Sequence, residues 1–170
     1  MIFNLFRKSA VPDAAEEAYR AIVAQSRRER FYADWGVPDT VTGRFDMISL
    51  HLVLALRRLR ADDAGRKLAQ AIVDVFFSDM DGSLRELGVT DIGVPNKIKK
   101  IGNVFYGLVG ALDEALASGQ PANVAAVLRR NIQNVPETGI ETLANYLLTE
   151  TQRLAAVPTQ DLFVVDGAAA

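Results

Sequence analysis

Residues 44–60 read RFDMISLHLVLALRRLR. Wound at about 100° per residue, Phe45, Met47, Ile48, Leu50, Leu52, Val53, Leu54, Leu56 and Leu59 point in nearly every direction. A helix that is apolar almost all round is surrounded by other elements. A segment of this kind from Arg44 to Arg60 therefore predicts a helical bundle assembled around it. Its one polar line is Arg44, His51 and Arg58, spaced so that each drifts by only about 20° from the last. Two readings of that stripe are open. Either it meets Asp34, Asp39 or another carboxylate of the preceding segment and fixes its conformation, or it lines a groove for a partner's polar groups.

The preceding segment, FYADWGVPDTVTGRFD at 31–46, holds the only tryptophan, Trp35, together with Phe31, Tyr32, Phe45, two glycines, Pro38 and three aspartates. A connection this long inside a domain is usually functional or disordered, and four aromatic side chains argue against disorder. It predicts an ordered loop docked by its aromatics, which are candidates for partner contact as well.

Working outward, Asp13 and Glu16 form a capping-box pattern after Pro12, and Ala15, Ala18, Tyr19, Ile22 and Ser26 continue at helical spacing, so the first helix is expected from about Asp13 to Arg28. The third opens near Asp62 or Asp63 and runs to Leu87. Gly88 fits the C′ position there, Leu84 and Val89 form the hydrophobic pair of a Schellman motif, and Gly82 marks a bend or an early end. A fourth helix starts at Pro95 or Asn96, with Ile98, Ile101, Phe105, Leu108, Leu112 and Leu116 as its stripe. Gly119 and Pro121 separate it from a fifth, about Pro121 to Ile132. A second capping box, Thr138 with Glu141, opens a sixth that Pro158 ends. Leu162 to Val165 reads as a short docked segment and residues 166–170 as a frayed tail. No stretch alternates as a strand does. The expectation is an all-α single compact domain of about six helices over residues 13–165.

The fourth helix carries two oddities. Opposite its stripe lie Asn103, Gly107 and Gly110, small and costly in helix propensity, which suggests close approach of another helix from this chain or from a client. Lys97, Lys99 and Lys100 sit in its first turns, where the helix dipole disfavours cations. They form a solvated face or meet an anionic partner such as phospholipid headgroups or ribosomal RNA.

Composition narrows the chemistry. Nineteen basic and 21 acidic side chains leave a net charge of -2, which argues against bulk nucleic-acid binding and against DNA as a partner. The absence of cysteine excludes disulfides, thiolate metal sites and cysteine nucleophiles, and the single histidine excludes two-histidine metal sites. There is no P-loop, GxGxxG or nucleophile elbow. Aligning Gly82 with the glycine of a calcium loop puts Phe77 at the first ligand position, which rejects that motif. What His51 leaves open is haem ligation through one imidazole. No metal, cofactor or small-molecule substrate is expected. The start, MIFNLFRK, is not a secretory signal, and no run reaches the roughly 18 to 20 apolar residues of a membrane span. Ile2, Phe3, Leu5 and Phe6, followed by Arg7 and Lys8, would suit an anionic membrane surface, which makes residues 1–12 a candidate peripheral segment.

Four stretches, FYADWGVPDTVTGRFDMISLHLVLALRRLR (31–60), FFSDMDGSLRELGVTDIGV (76–94), KIKKIGNVFYG (97–107) and LRRN (128–131), resemble the ubiquinol-cytochrome c chaperones, assembly factors of the cytochrome bc1 complex. Two positions depart from the family pattern. Thr42 stands where an acidic residue is frequent, and Leu108 where arginine is frequent.

The resemblance implies a non-enzymatic chaperone, with no catalytic residue to carry over, that holds newly made cytochrome b until cofactors and further subunits join. Family members in mitochondria act with a small partner protein near the ribosomal exit. Without a presequence, this chain resembles a bacterial member working at the cytoplasmic face of the inner membrane. The client-contact candidates are Phe31, Tyr32, Trp35, Pro38, Asp39, Arg44 and Asp46 from the loop and its junction, and His51 and Arg58 from the stripe. Asn103, Phe105, Tyr106, Gly107 and Gly110 join them from the fourth helix. Rival readings are haem delivery through His51 and a generic helical scaffold.

Overall fold

The computed structural model describes residues 6–163, with side chains from Val11 onward. Among the described residues there are seven α-helices and no strand: α1 Phe6–Ser26, α2 Glu29–Ala33, α3 Val41–Leu59, α4 Asp63–Glu86, α5 Val94–Ala117, α6 Pro121–Asn131 and α7 Glu137–Ala155, followed by a 3-10 turn at Thr159–Asp161. The all-α expectation holds, as one compact domain.

The all-round apolar helix is α3, buried continuously from Met47 to Leu56, with α1, α4, α5 and α7 packed on it. Thr40 caps its start, its hydroxyl accepting from the Gly43 N–H at 3.1 Å, so the helix begins three residues before Arg44. The Asp62 carboxylate caps α4 in the same way, accepting from the Gly65 N–H at 2.6 Å. That helix runs through Gly82 without ending and closes at a Schellman motif. Val89 N–H donates to the Leu84 carbonyl at 3.0 Å, Gly88 N–H to the Arg85 carbonyl at 2.9 Å, and Gly88 has φ +82°.

Three local expectations are corrected. First, α1 starts at Phe6 and carries Pro12 inside it, so Asp13 caps nothing and Glu16 pairs with Arg20 along the helix. Proline's fixed φ is already helical, and Pro12 lies within the first two turns of the helix, where few bonds are lost. Second, the 31–46 segment opens inside a helical turn, α2, that starts at Glu29, and from Val41 it is already α3; α2 brings the helix number among the described residues to seven. Third, α7 begins at Glu137 behind Pro136 and uses no Thr138 cap. Glu137 in the first turn suits the helix dipole and is also paired with Arg129. The reading of Ile2, Phe3 and Leu5 as a membrane-peripheral segment, and those of Val164, Val165 and the 166–170 tail, lie outside the described residues, as does the Phe6 side chain. Leu162 and Phe163 pack half-buried against the core.

An aromatic column ties the helices together at one end. Phe76 of α4 stacks with Phe45 of α3 at 6.0 Å and with Phe105 of α5 at 5.0 Å between ring centroids. At the other end Arg57 pairs with Asp113. With Phe45 and Phe105 both on Phe76 and Arg57 on Asp113, the earlier residues of the two helices meet at one end and the later ones at the other, so α3 and α5 run in the same direction.

Candidate functional site

The segment between α1 and α3 is docked by backbone as much as by rings. Phe31 is fully buried, its centroid 5.1 Å from Trp35 and 5.2 Å from Tyr146. Tyr32 Oη donates to the Ser26 carbonyl at 2.9 Å, and the Val37 N–H reaches the Phe31 carbonyl at 3.0 Å. Gly36 has φ +74°, in the left-handed region where a side chain is strained. A Cβ on Gly43 would stand 1.9 Å from the Pro38 carbonyl oxygen, and one on Gly139 of α7 would stand 2.0 Å from that of Trp35. Glycine at both positions is what lets the loop lie against α3 and α7.

The stripe Arg44, His51, Arg58 divides into three anchors. Arg44 Nε meets Asp39 at 2.7 Å on the surface, holding that carboxyl below its ordinary range. Arg58 donates to the carbonyls of Leu154 at 3.0 Å and Val157 at 2.9 Å, and to Asp62. His51 is only 5 % exposed. Its Nδ1 lies 2.8 Å from the Met47 carbonyl, so Nδ1 carries the proton, and Nε2 then accepts from Tyr146 Oη at 2.8 Å. Gln25 Nε2 donates to the same hydroxyl at 3.4 Å. Burial pushes the imidazole down to about 4, which keeps it neutral. Both nitrogens are engaged, so haem ligation through His51 would have to break the Tyr146 bond.

Phe31, His51 and Phe105 thus cannot serve as contact surface as expected. The same apolar and hydrogen-bonding capacity that marked them in the sequence is satisfied inside the fold. Tyr146, which joins His51, Phe31 and Trp35, has no signal in the sequence, because it falls at an ordinary core position of α7. Asp46 is half-buried with no hydrogen-bond partner among the described residues, and desolvation pushes its carboxyl up to about 6.

The outer face of α5 is built differently. Asn103, Val104, Tyr106, Gly107 and Gly110 are exposed, and Leu87 and Ile92 precede them on the connection from α4, Ile92 at 87 %. Among the described residues nothing beyond the helix itself lies within 4 Å of a Cβ placed on Gly107 or Gly110. The expected close approach therefore involves no helix of the described residues. Helical geometry sets the two glycines and Asn103 in the middle of the face, with Val104 and Tyr106 as its two banks. Lys97, Lys99 and Lys100 extend it toward the helix start, all exposed. Leu108, where the family pattern favours arginine, points inward and is buried.

Fold and surface together define an all-helical domain with a buried α3 core, a docked aromatic loop and an outer helix face with apolar banks and a basic end. No helix among the described residues is long and apolar enough to cross a membrane. The chain belongs to the ubiquinol-cytochrome C chaperone family, whose model matches residues 33–168. It is 24 % identical over 163 residues to the ubiquinol-cytochrome-c reductase complex assembly factor 1 of Xenopus laevis, covering 94 % of this chain and 81 % of that protein. The mouse protein of the same name is also 24 % identical, over 94 % of this chain, and here the chain spans only 55 % of its relative's length. A crystal structure of the Cbp3 homolog from Brucella abortus superposes with a TM-score of 0.83 at 42 % identity, covering 98 % of this chain and 94 % of that one.

Proposed function

We propose that this protein is an assembly chaperone of the cytochrome bc1 complex that holds newly made cytochrome b, and that the outer face of α5 is where the client lies. One observation carries the placement. Gly107 and Gly110 form an open strip between Val104 and Tyr106, and none of the described residues uses the space above it. Small residues on a helix surface let a second helix approach closely, and an apolar helix is what a membrane-protein client offers. Lys97, Lys99 and Lys100 next to that strip suit the anionic surface of the membrane into which such a client inserts. This reading places the protein peripherally at the cytoplasmic face of the inner membrane, acting without catalysis. Tyr32, Pro38, Asp39, Arg44 and Asp46, on or near the surface of the docked loop, are left for a small partner protein. A photo-crosslinking residue at Asn103, in cells making cytochrome b, should give a cytochrome b adduct that Gly107→Leu removes. An adduct-free result with cytochrome b abundant in the input overturns the placement, and absence of cytochrome b from material purified after general crosslinking overturns the client.

A further inference from the structure

On the side away from α5, α1 and α7 flank α3 and leave a cleft of about 960 Å³ between them. Its apolar lining comes from Ile22, Leu54, Ala55 and Leu154, with Leu162 and Phe163 alongside. Its polar lining is dominated by Arg28, Arg30 and Arg153. Glu150 and Asp161 are the carboxylates present, and Glu150 is held by Arg153 at 2.9 Å. Among the described residues Arg28 and Arg30 form no ion pair, nor does the adjacent Arg27.

Arg30 is the unusual member. Its guanidinium sits 5.2 Å from the ring centroids of Phe31, Trp35 and Tyr146, and its Nε is buried without a hydrogen-bond partner. Three aromatic faces restrict its position, so its charge stays at the cleft and cannot swing into water as a free surface arginine does. A stacked guanidinium keeps its in-plane N–H groups available, and these match a carboxylate. His51 at the floor is neutral and already bonded on both sides, so it neither repels nor ligates an occupant.

We infer that this cleft receives an acidic amphipathic segment of a partner protein, its apolar side on Leu54, Leu154 and Phe163 and its carboxylates on Arg28 and Arg30. Two helices standing as ridges on a third make the groove that an amphipathic helix occupies. The uncompensated arginines at its edge select acidic over basic segments. This inference does not depend on the identity of the client or on the α5 face.

The test uses the full chain and three labelled 16-residue peptides of leucine with glutamate, glutamine or lysine in one amphipathic pattern. Fluorescence anisotropy should show the glutamate peptide binding at least tenfold more tightly than the glutamine peptide and the lysine peptide not at all. Emission of Trp35 should shift on binding. Arg28→Glu should lose at least tenfold in affinity and Arg28→Ala less, with far-UV circular dichroism and melting unchanged in both, because Arg28 is exposed and has no partner to lose. Failure of the glutamate peptide to bind, equal affinity for glutamate and glutamine peptides, or indifference to both Arg28 variants overturns the inference. So does a photo-crosslinker at Ala24 on the cleft wall that joins residues 164–170 or a second copy of the chain in place of the peptide.

Discussion

Two regions of this molecule are rich in glycine, and they use it in opposite ways. Around the aromatic loop, Gly43 and Gly139 lie against the carbonyl oxygens of Pro38 and Trp35, and Gly36 has a positive φ, so the fold has no room for a side chain there. On α5, Gly107 and Gly110 are helical, exposed and, among the described residues, approached by no other part of the fold. Each lowers helix stability by about 0.5–1 kcal/mol relative to alanine, and no contact among the described residues offsets that. The first set is explained by the molecule itself, whereas the second points beyond it. A glycine that its own fold does not require is a better guide to a binding surface than an aromatic, which has uses in a core.

The sharpest way to break this contrast is at Gly43. Alanine there must displace the Pro38 carbonyl or the start of α3, because the approach is 1.9 Å to backbone and not to a movable side chain. Overpacking against backbone at a capped helix start should cost about 3 kcal/mol or more, read as a large drop in the urea midpoint. If Gly43→Ala melts like the wild type, the loop is not docked as described. Trp35→Ala comes next. The ring is half-buried, edge-on to Phe31 and Tyr146, and carries Arg30 on its face. Its loss should cost about 2–3 kcal/mol, below the range for a fully buried tryptophan. Normal melting with client capture abolished would move Trp35 from the docked region to the binding one.

Much of this was legible in the sequence, and where it was not the reason is specific. The period of α3, α4 and α5 and the Gly88 terminus follow from local rules that tertiary structure had no cause to override. The Thr138 and Asp13 capping boxes failed because Pro136 and an extended α1 supplied other starts. Phe31 and Phe105 carry two readings in the sequence, as docking or core-stripe aromatics and as contact residues, because a sequence shows that an aromatic is present but not whether its ring is covered. Gly107 and Gly110 stand out in the sequence as a small face, but that no helix of the described residues lies on it depends on how the helices pack. The roles of Tyr146 and Arg30 rest on contacts between residues far apart in the chain, which no local pattern carries.

A smaller effect separates a half-buried and a buried titratable group on α3, Asp46 and His51. The Asp46 carboxyl, pushed up to about 6 by burial, binds its proton more tightly folded than unfolded, so its contribution is present at low pH and is lost as pH rises through about 6. The His51 imidazole, pushed down to about 4, does the reverse: as pH falls from about 6.5 to about 4 the unfolded chain takes up a proton that the fold excludes, and stability falls. The two oppose over the same window and flatten the wild-type profile. Asp46→Asn should therefore stabilise at pH 7 by about 1–2 kcal/mol, discounted for partial exposure, and by nothing near pH 4. In that variant the acid-side loss from His51 should stand out as a steeper fall in melting temperature between pH 6 and pH 4.

The smallest change in stability tests the contrast most directly, because its sign is opposite to that of Gly43. Gly107→Ala and Gly110→Ala each place a methyl group into open space on a regular helix, so each should stabilise the isolated protein by about 0.5–1 kcal/mol. A gain in melting temperature alone would say only that the glycines are locally unfavourable. If a client helix packs on the strip between Val104 and Tyr106, the same methyl groups hold it away, and Gly107→Leu, longer by three more carbons, holds it farther. Capture of the client should then fall in the order glycine, alanine, leucine at position 107 while the melting temperature does not fall with it. Stability and binding that move in opposite directions at one residue cannot come from damage to the fold. Client capture unchanged through the leucine variant would remove the α5 face from the binding surface and leave its glycines without a reason.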